Sequence, residues 1–192
     1  MSTDSKAIVP DAKEPICQGD VYKNVRFNYI DSDDGESINV LEYEFPYAII
    51  ISQACDVIGM EKLLVEKNGK ATKFMPSILL CPIYDKAMAK KGEHIKDILT
   101  ELSIHIDEEG TYQTDDYKVA LRDWHYRFHA LTISIGKNPV FQDAIVDFKH
   151  YFTLPMRYLV EHKSDRILHL DDLYAEQITL KFATYLSRVA IP

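Results

Sequence analysis

The residues best placed to do chemistry lie in the segment Trp124-His-Tyr-Arg-Phe-His-Ala130, where His125, Arg127 and His129 alternate with Trp124, Tyr126, Phe128 and Ala130. Period-two alternation predicts a strand with the three polar side chains on its outer face, at successive spacings of roughly 6.6–6.8 Å. A phosphate lying over Arg127 can be shared with either histidine. An imidazole that titrates near neutrality can take the proton of a ribose 2′-hydroxyl. The same pattern also describes an ordinary polar strand face. The two histidines stand about 13 Å apart, too far for one metal ion with Zn–N bonds near 2.0–2.1 Å.

A second group follows the apolar run Phe45 to Ile51, in Ser52-Gln-Ala-Cys-Asp56. Cys55, at the mouth of a buried strand, is either a nucleophile served by a distant histidine or a small core residue, with Asp56 bonding the backbone of the turn. Ser52, Gln53 and Asp56 are candidate ligand-binding residues at that strand end. The competing reading is that they satisfy the last backbone groups of the strand; Gln53, longer than a turn needs, favours the ligand. His150, between Phe148 and Phe152, reads as a hydrogen-bonded core histidine, with Asp147, Lys149 and Tyr151 turned outward. Walker, dinucleotide-fold, HExxH and GxSxG patterns are absent. Cys17, Cys55 and Cys81 form no CxxC pair, which argues against a disulfide framework and a thiolate zinc site, so neither metal nor cofactor is expected.

These residues need a scaffold, and the chain supplies strands. Residues 1–16 read as a polar, mobile lead-in to a single domain spanning 17–192. Val21 to Ile30 alternates; Asp31 to Ser37 is turn chemistry; Ile38 to Tyr43 and Phe45 to Ile51 are further strands, the last apolar on both faces and therefore central. Leu63–Glu66 and Ala71–Phe74 around Asn68-Gly69 suggest a β-hairpin, and Ile78 to Tyr84 another buried strand. Asp85 to Leu102 favours one helix or two short ones broken at Gly92. Residues 102–123 show no clear period. Ile145–Leu154 and Ile167–Leu170 read as strands, and after Asp171 and Asp172 an amphipathic helix is expected over 172–190. The predicted class is α+β, mostly β: a small curled barrel elaborated by a middle helix and a C-terminal helix. Val21, Val25, Ala48, Ile50, Leu80, Phe182 and Leu186 are expected in one core.

Length and charge bound the function. The 192 residues suit one domain with an extension, and a net charge of −8 disfavours generic binding to nucleic acid or anionic membranes. Seven lysines between positions 62 and 91 are either solvated loops or a phosphate-contacting patch. The longest apolar run has seven residues, far short of the roughly 18–20 of a spanning helix. With no apolar leader among the first eighteen residues, a cytoplasmic location is expected.

Three stretches carry a family resemblance: Gln18-Gly-Asp-Val-Tyr-Lys-Asn-Val25, Phe45-Pro-Tyr-Ala-Ile-Ile-Ile-Ser52 and Ile78 to Tyr84. Their order resembles the opening of MazF/PemK-like ribonuclease toxins and implies an SH3-like barrel. Ser52 to Asp56, with Phe182 to Pro192, resembles a group of bacterial proteins without an assigned activity that carry a Ser-Gln-x-Cys-Asp motif. The toxins use an Arg before the Pro of the second strand and a hydroxyl residue after the Cys-Pro region. Here those places hold Phe45 and Ile83, so the resemblance implies the fold without the toxin active site; Arg26 is the nearest cationic substitute. Two functions stay open. One is a binding or interaction protein with a protein partner, in a toxin–antitoxin or phage-defence setting. The other is a diverged metal-independent endoribonuclease, RNA its partner, with His125, Arg127, His129 or Arg26 as catalytic candidates.

Overall fold

The computed structural model describes residues 5–104, 126–135 and 138–187. Its strands are β1 (Ser5–Ile8), β2 (Asp20–Asp33), β3 (Ile38–Ile50), β4 (Ile78–Asp85), β5 (Phe128–Ile135), β6 (Asn138–Asp147), β7 (Phe152–Leu154) and β8 (Arg166–Leu170). Its α-helices are α1 (Ala54–Glu66), α2 (Lys86–Lys91), α3 (Lys96–Glu101), α4 (Met156–Glu161) and α5 (Asp172–Leu186). The strands form one sheet in the order β3-β2-β8-β1-β5-β6-β4-β7, and it curls far enough for β3 to pair also with β4. Every pairing is antiparallel except β1 with β5. The protein is therefore α+β, mostly strand, with a curled, barrel-like sheet.

Alternation sends side chains to two sides of this sheet, and both are covered. Tyr22, Ala48, Ile50 and Leu80 pack with Val57 and Met60 of α1 and Leu159 of α4. Val21, Ile49, Cys81 and Leu131 pack with Ala175, Ile178 and Phe182 of α5. The single expected core is thus two, one on each face, and Leu186 stands exposed at the end of α5. Asp171 caps that helix by accepting from the Leu173 N–H at 3.1 Å. Gly19 is fixed by the same packing: its φ is +85°, and a Cβ there would lie 2.7 Å from the Cβ of Ala175.

Four expectations are corrected. The lead-in is pinned from Ser5 onward: β1 inserts between β8 and β5, and Ile16 is fully buried. The hairpin over 63–74 is instead the end of α1 and a 3₁₀ turn at Ala71–Lys73, because Val57, Met60 and Glu61 share a buried helical face. Asn68-Gly69 follows the left-handed C-cap at Lys67 (φ 55°) and serves as a helix exit. Ile145–Leu154 is split, β6 ending at Asp147 and β7 beginning at Phe152 around a 3₁₀ turn at Phe148–His150. Helix α5 ends at Leu186, and residues 188–190 of the expected helix lie outside the described residues. The break at Gly92, the turn closed by Asp34 and β8 all fall where the sequence puts them.

Candidate functional site

The polar centre of the molecule is Asp147, at the end of β6 and wholly buried. Its carboxylate accepts from the Lys149 N–H at 3.0 Å, closing the 3₁₀ turn that carries His150. The Phe148 N–H donates to the Arg127 carbonyl at 3.0 Å, tying that turn to the residue before β5. The Arg127 guanidinium then grips the carboxylate as a fork, Nε to Oδ1 at 2.8 Å and Nη2 to Oδ2 at 2.6 Å. His150 Nδ1 lies 3.0 Å from Oδ2, off the line of a ring N–H hydrogen bond. His150 Nε2 stands 3.4 Å from Arg127 Nη2.

His94 reaches the same carboxylate from a different element. Gly92, at φ +74°, ends α2 in the left-handed region and turns the chain into the 3₁₀ segment Glu93–Ile95. The ring edge of His94 meets Tyr84 at 4.7 Å between centroids, and its Nε2 lies 3.9 Å from Asp147 Oδ2. Only 1% of the His94 side chain is exposed, and neither ring nitrogen has a hydrogen-bond partner among the described residues. The Met88 carbonyl lies near the ring without the alignment of a bond. Burial pushes the His94 pKa down to about 4 against the upward pull of Asp147. Burial opposes ionisation of Asp147 too, but the close His150 ring and the hydrogen-bonded, charged Arg127 fork hold its carboxyl well below the usual range. One ligand atom from each of His94, Asp147 and His150 lies within 4.8 Å of the others. The expectation of no metal weighed only the dispersed thiols and the 125/129 pair, and this third grouping was outside it.

On its other side His150 lines an open cleft of about 460 Å³, walled by Phe27, Tyr29, Tyr43 and Phe45 of the β2–β3 ribbon, by Ile98 of α3 and by Tyr151 and Phe152. Tyr29 stacks on Tyr43 and Phe45 on Phe152, at 6.3 and 4.6 Å, while the Tyr29 and Tyr151 residues stay 46% exposed at the rim.

The expected site residues are dispersed. His125 lies outside the described residues. Arg127 is committed to Asp147, and His129 is inside rather than outward: it is buried under α5, its Nε2 2.9 Å from the Tyr174 hydroxyl. Arg26 is exposed and 3.7 Å from its cross-strand partner Glu44. Ser52 Oγ accepts from the Leu79 N–H at 2.8 Å, a structural tie to β4. Gln53 precedes α1, exposed and not capping it. Asp56, expected in a turn, sits in the first turn of α1, 3.6 Å from Lys73 Nζ. Cys55 is exposed on the same helix, neither in the core nor at a strand mouth. Asp147 itself is inward where alternation put it outward. The missed histidine and carboxylate did leave one local signal, an acid and a histidine three residues apart in an apolar run; His94 left none.

A second buried aspartate anchors the lead-in. Asp20 accepts from the Cys17 N–H at 2.8 Å, from Arg166 Nη1 at 3.1 Å and from His169 Nδ1 at 2.9 Å. Arg166 also donates to the carbonyls of Asp11, Glu14 and Pro15. The hydrogen bond to Asp20 raises the His169 pKa.

No family model matches the chain, and neither a curated protein nor a solved structure matches it. No helix among the described residues is long and apolar enough to cross a membrane.

Proposed function

We propose that this chain is a binding protein that takes an apolar or aromatic part of a protein partner into the cleft between the β2–β3 ribbon and Tyr151. The observation that carries the reading is the cleft itself: stacked aromatic walls with two tyrosine rings left open at the rim. Aromatic surface held open in this way is the composition of interface cores, and covering it is favourable. The same ribbon leaves Ile30 and Val40 exposed beyond the cleft.

The barrel is read as MazF/PemK-like on the strength of the early-strand resemblance, with a cytoplasmic toxin–antitoxin or phage-defence setting. Loss of that family's chemistry is supported by packing, since Phe45 and Ile83, at the toxin positions, are buried core residues. Affinity capture compares the full chain with the Tyr29→Ala/Tyr151→Ala double variant, whose sites are open enough to spare the fold. A protein partner retained by the first and lost by the second is expected; identical partners for both would refute the cleft as the docking site.

One observation favours the rival reading: His150, adjacent to the buried Asp147, lines the aromatic cleft, where a nucleobase can stack and a 2′-hydroxyl meet an imidazole. Cleavage of single-stranded RNA in chelator, abolished by His150→Asn, would establish a metal-independent endoribonuclease instead.

A further inference from the structure

We propose that His94, Asp147 and His150 form a binding site for one divalent first-row transition-metal ion. Two imidazoles and a carboxylate are a donor set for Zn²⁺, Fe²⁺ or Co²⁺ rather than for Mg²⁺ or Ca²⁺, which prefer all-oxygen shells. Bonds of about 2.0–2.2 Å in tetrahedral geometry put neighbouring ligand atoms roughly 3.3–3.6 Å apart. The two distances to Asp147 Oδ2, 3.0 Å from His150 Nδ1 and 3.9 Å from His94 Nε2, straddle that value.

Two independent observations point to a ligand. The His94 ring is buried with neither nitrogen aligned to a hydrogen-bond partner among the described residues, so its polar atoms have given up hydration without a hydrogen bond in return. His150 Nδ1 likewise has no aligned hydrogen-bond partner although it lies close to Oδ2, and it ligates in the tautomer that carries the proton on Nε2, in place of the 3.4 Å bond from Arg127 Nη2. The carboxylate is already oriented toward the two imidazoles, because the Arg127 fork and the Lys149 N–H fix it from outside, as outer partners of metal-ligating groups do. Three protein ligands leave a coordination position for water or a group brought by a partner. The metal-free alternative is a small rotation of His94 that closes a hydrogen bond to Asp147, giving a purely polar triad.

The test uses untagged full-length protein, stripped with chelator and dialysed, with the metal alone as probe, so its outcome is independent of the cleft's partner. Calorimetric titration with Zn²⁺ is expected to show a single saturable ion per chain, and Co²⁺ to develop the visible d–d absorption of a low-coordinate site. His94→Gln and His150→Gln should each weaken binding by about 100-fold, since even outer-partner losses cost 10–100-fold. Should either variant fold poorly, the wild-type melt decides: Zn²⁺ must raise the melting temperature by mass action, with excess Mg²⁺ without effect. Absence of saturable binding up to about 1 mM metal, or affinity unchanged in both variants, would overturn the proposal.

Discussion

Asp147 and Asp20 are the same device put to two uses. Each carboxylate is wholly buried, and each is flanked by an arginine and a histidine. Around Asp20 the partners are engaged: His169 is aligned as a donor, Cys17 supplies its N–H, and the remaining Nη donors of Arg166 are taken by three carbonyls of the lead-in. Around Asp147 the arginine spends its fork on the carboxylate, and two imidazoles converge on it with ring nitrogens that lack protein partners. A buried charge whose flanking histidine donates to it is a fastener. A buried charge with spare ligand atoms beside it is a place for something else to bind.

The comparison is broken most severely at the fastener. Arg166→Ala should cost about 3–5 kcal/mol, because it removes the arginine beside buried Asp20 and frees the lead-in carbonyls together; denaturant titration should show the loss, and limited proteolysis should cut the segment before β2. Arg127→Ala should cost less, roughly the lower end of that range, because Arg127 is 13% exposed against 2% for Arg166 and Asp147 keeps the Lys149 N–H. Equal losses in the two variants would show that the centres do not differ in this way.

The pH dependence of stability, measured in chelator, sharpens the contrast because the two centres shift their histidines in opposite directions. With a folded-state pKa near 4 against 6.5 unfolded, His94 contributes fully above 6.5, and its contribution is lost as pH falls toward 4. His169 is raised above 6.5, so its contribution is complete below 6.5 and is lost as pH rises through the folded value. Thermal melts across this range should show His94→Gln flattening the acid limb and His169→Gln flattening the alkaline one. The smallest effects are expected at the strand exit: Ser52→Ala should cost about 1 kcal/mol through the orphaned Leu79 N–H, and the exposed Gln53→Ala under about 0.5 kcal/mol. A large loss at Gln53 would mean that its amide bonds the turn.

What was legible in the sequence was local. Strand β2, the Asp-Gly turn after it and α5 each depend on spacing within about a dozen residues, and each appears, while the two strands expected over 38–43 and 45–51 are one, β3. The errors have physical causes. Alternation assigns polar residues outward only where one face of a sheet is wet. Here α5 covers one face and α1 and α4 the other, so His129 is driven inside. Asn68-Gly69 has the composition of a hairpin turn, but the left-handed residue that ends α1 is Lys67 just before it, and the buried face of α1 decides between the two. Asp147 could not be recognised as a centre because Arg127 and His94 come to it from separate elements, so that only its i,i+3 spacing to His150 is written locally.

The place of β1 has a consequence for how the chain is made. It lies parallel to β5 and antiparallel to β8, so both its neighbours are synthesised after it. During translation the ribbon, α1 and β4 can assemble while Ser5–Ile8 waits without an edge to join. Only when Arg166–Leu170 has left the ribosome does its slot exist. The first strand to emerge is therefore among the last to be paired, and the closing step joins distant parts of the chain, the kind of contact that sets a slow folding rate.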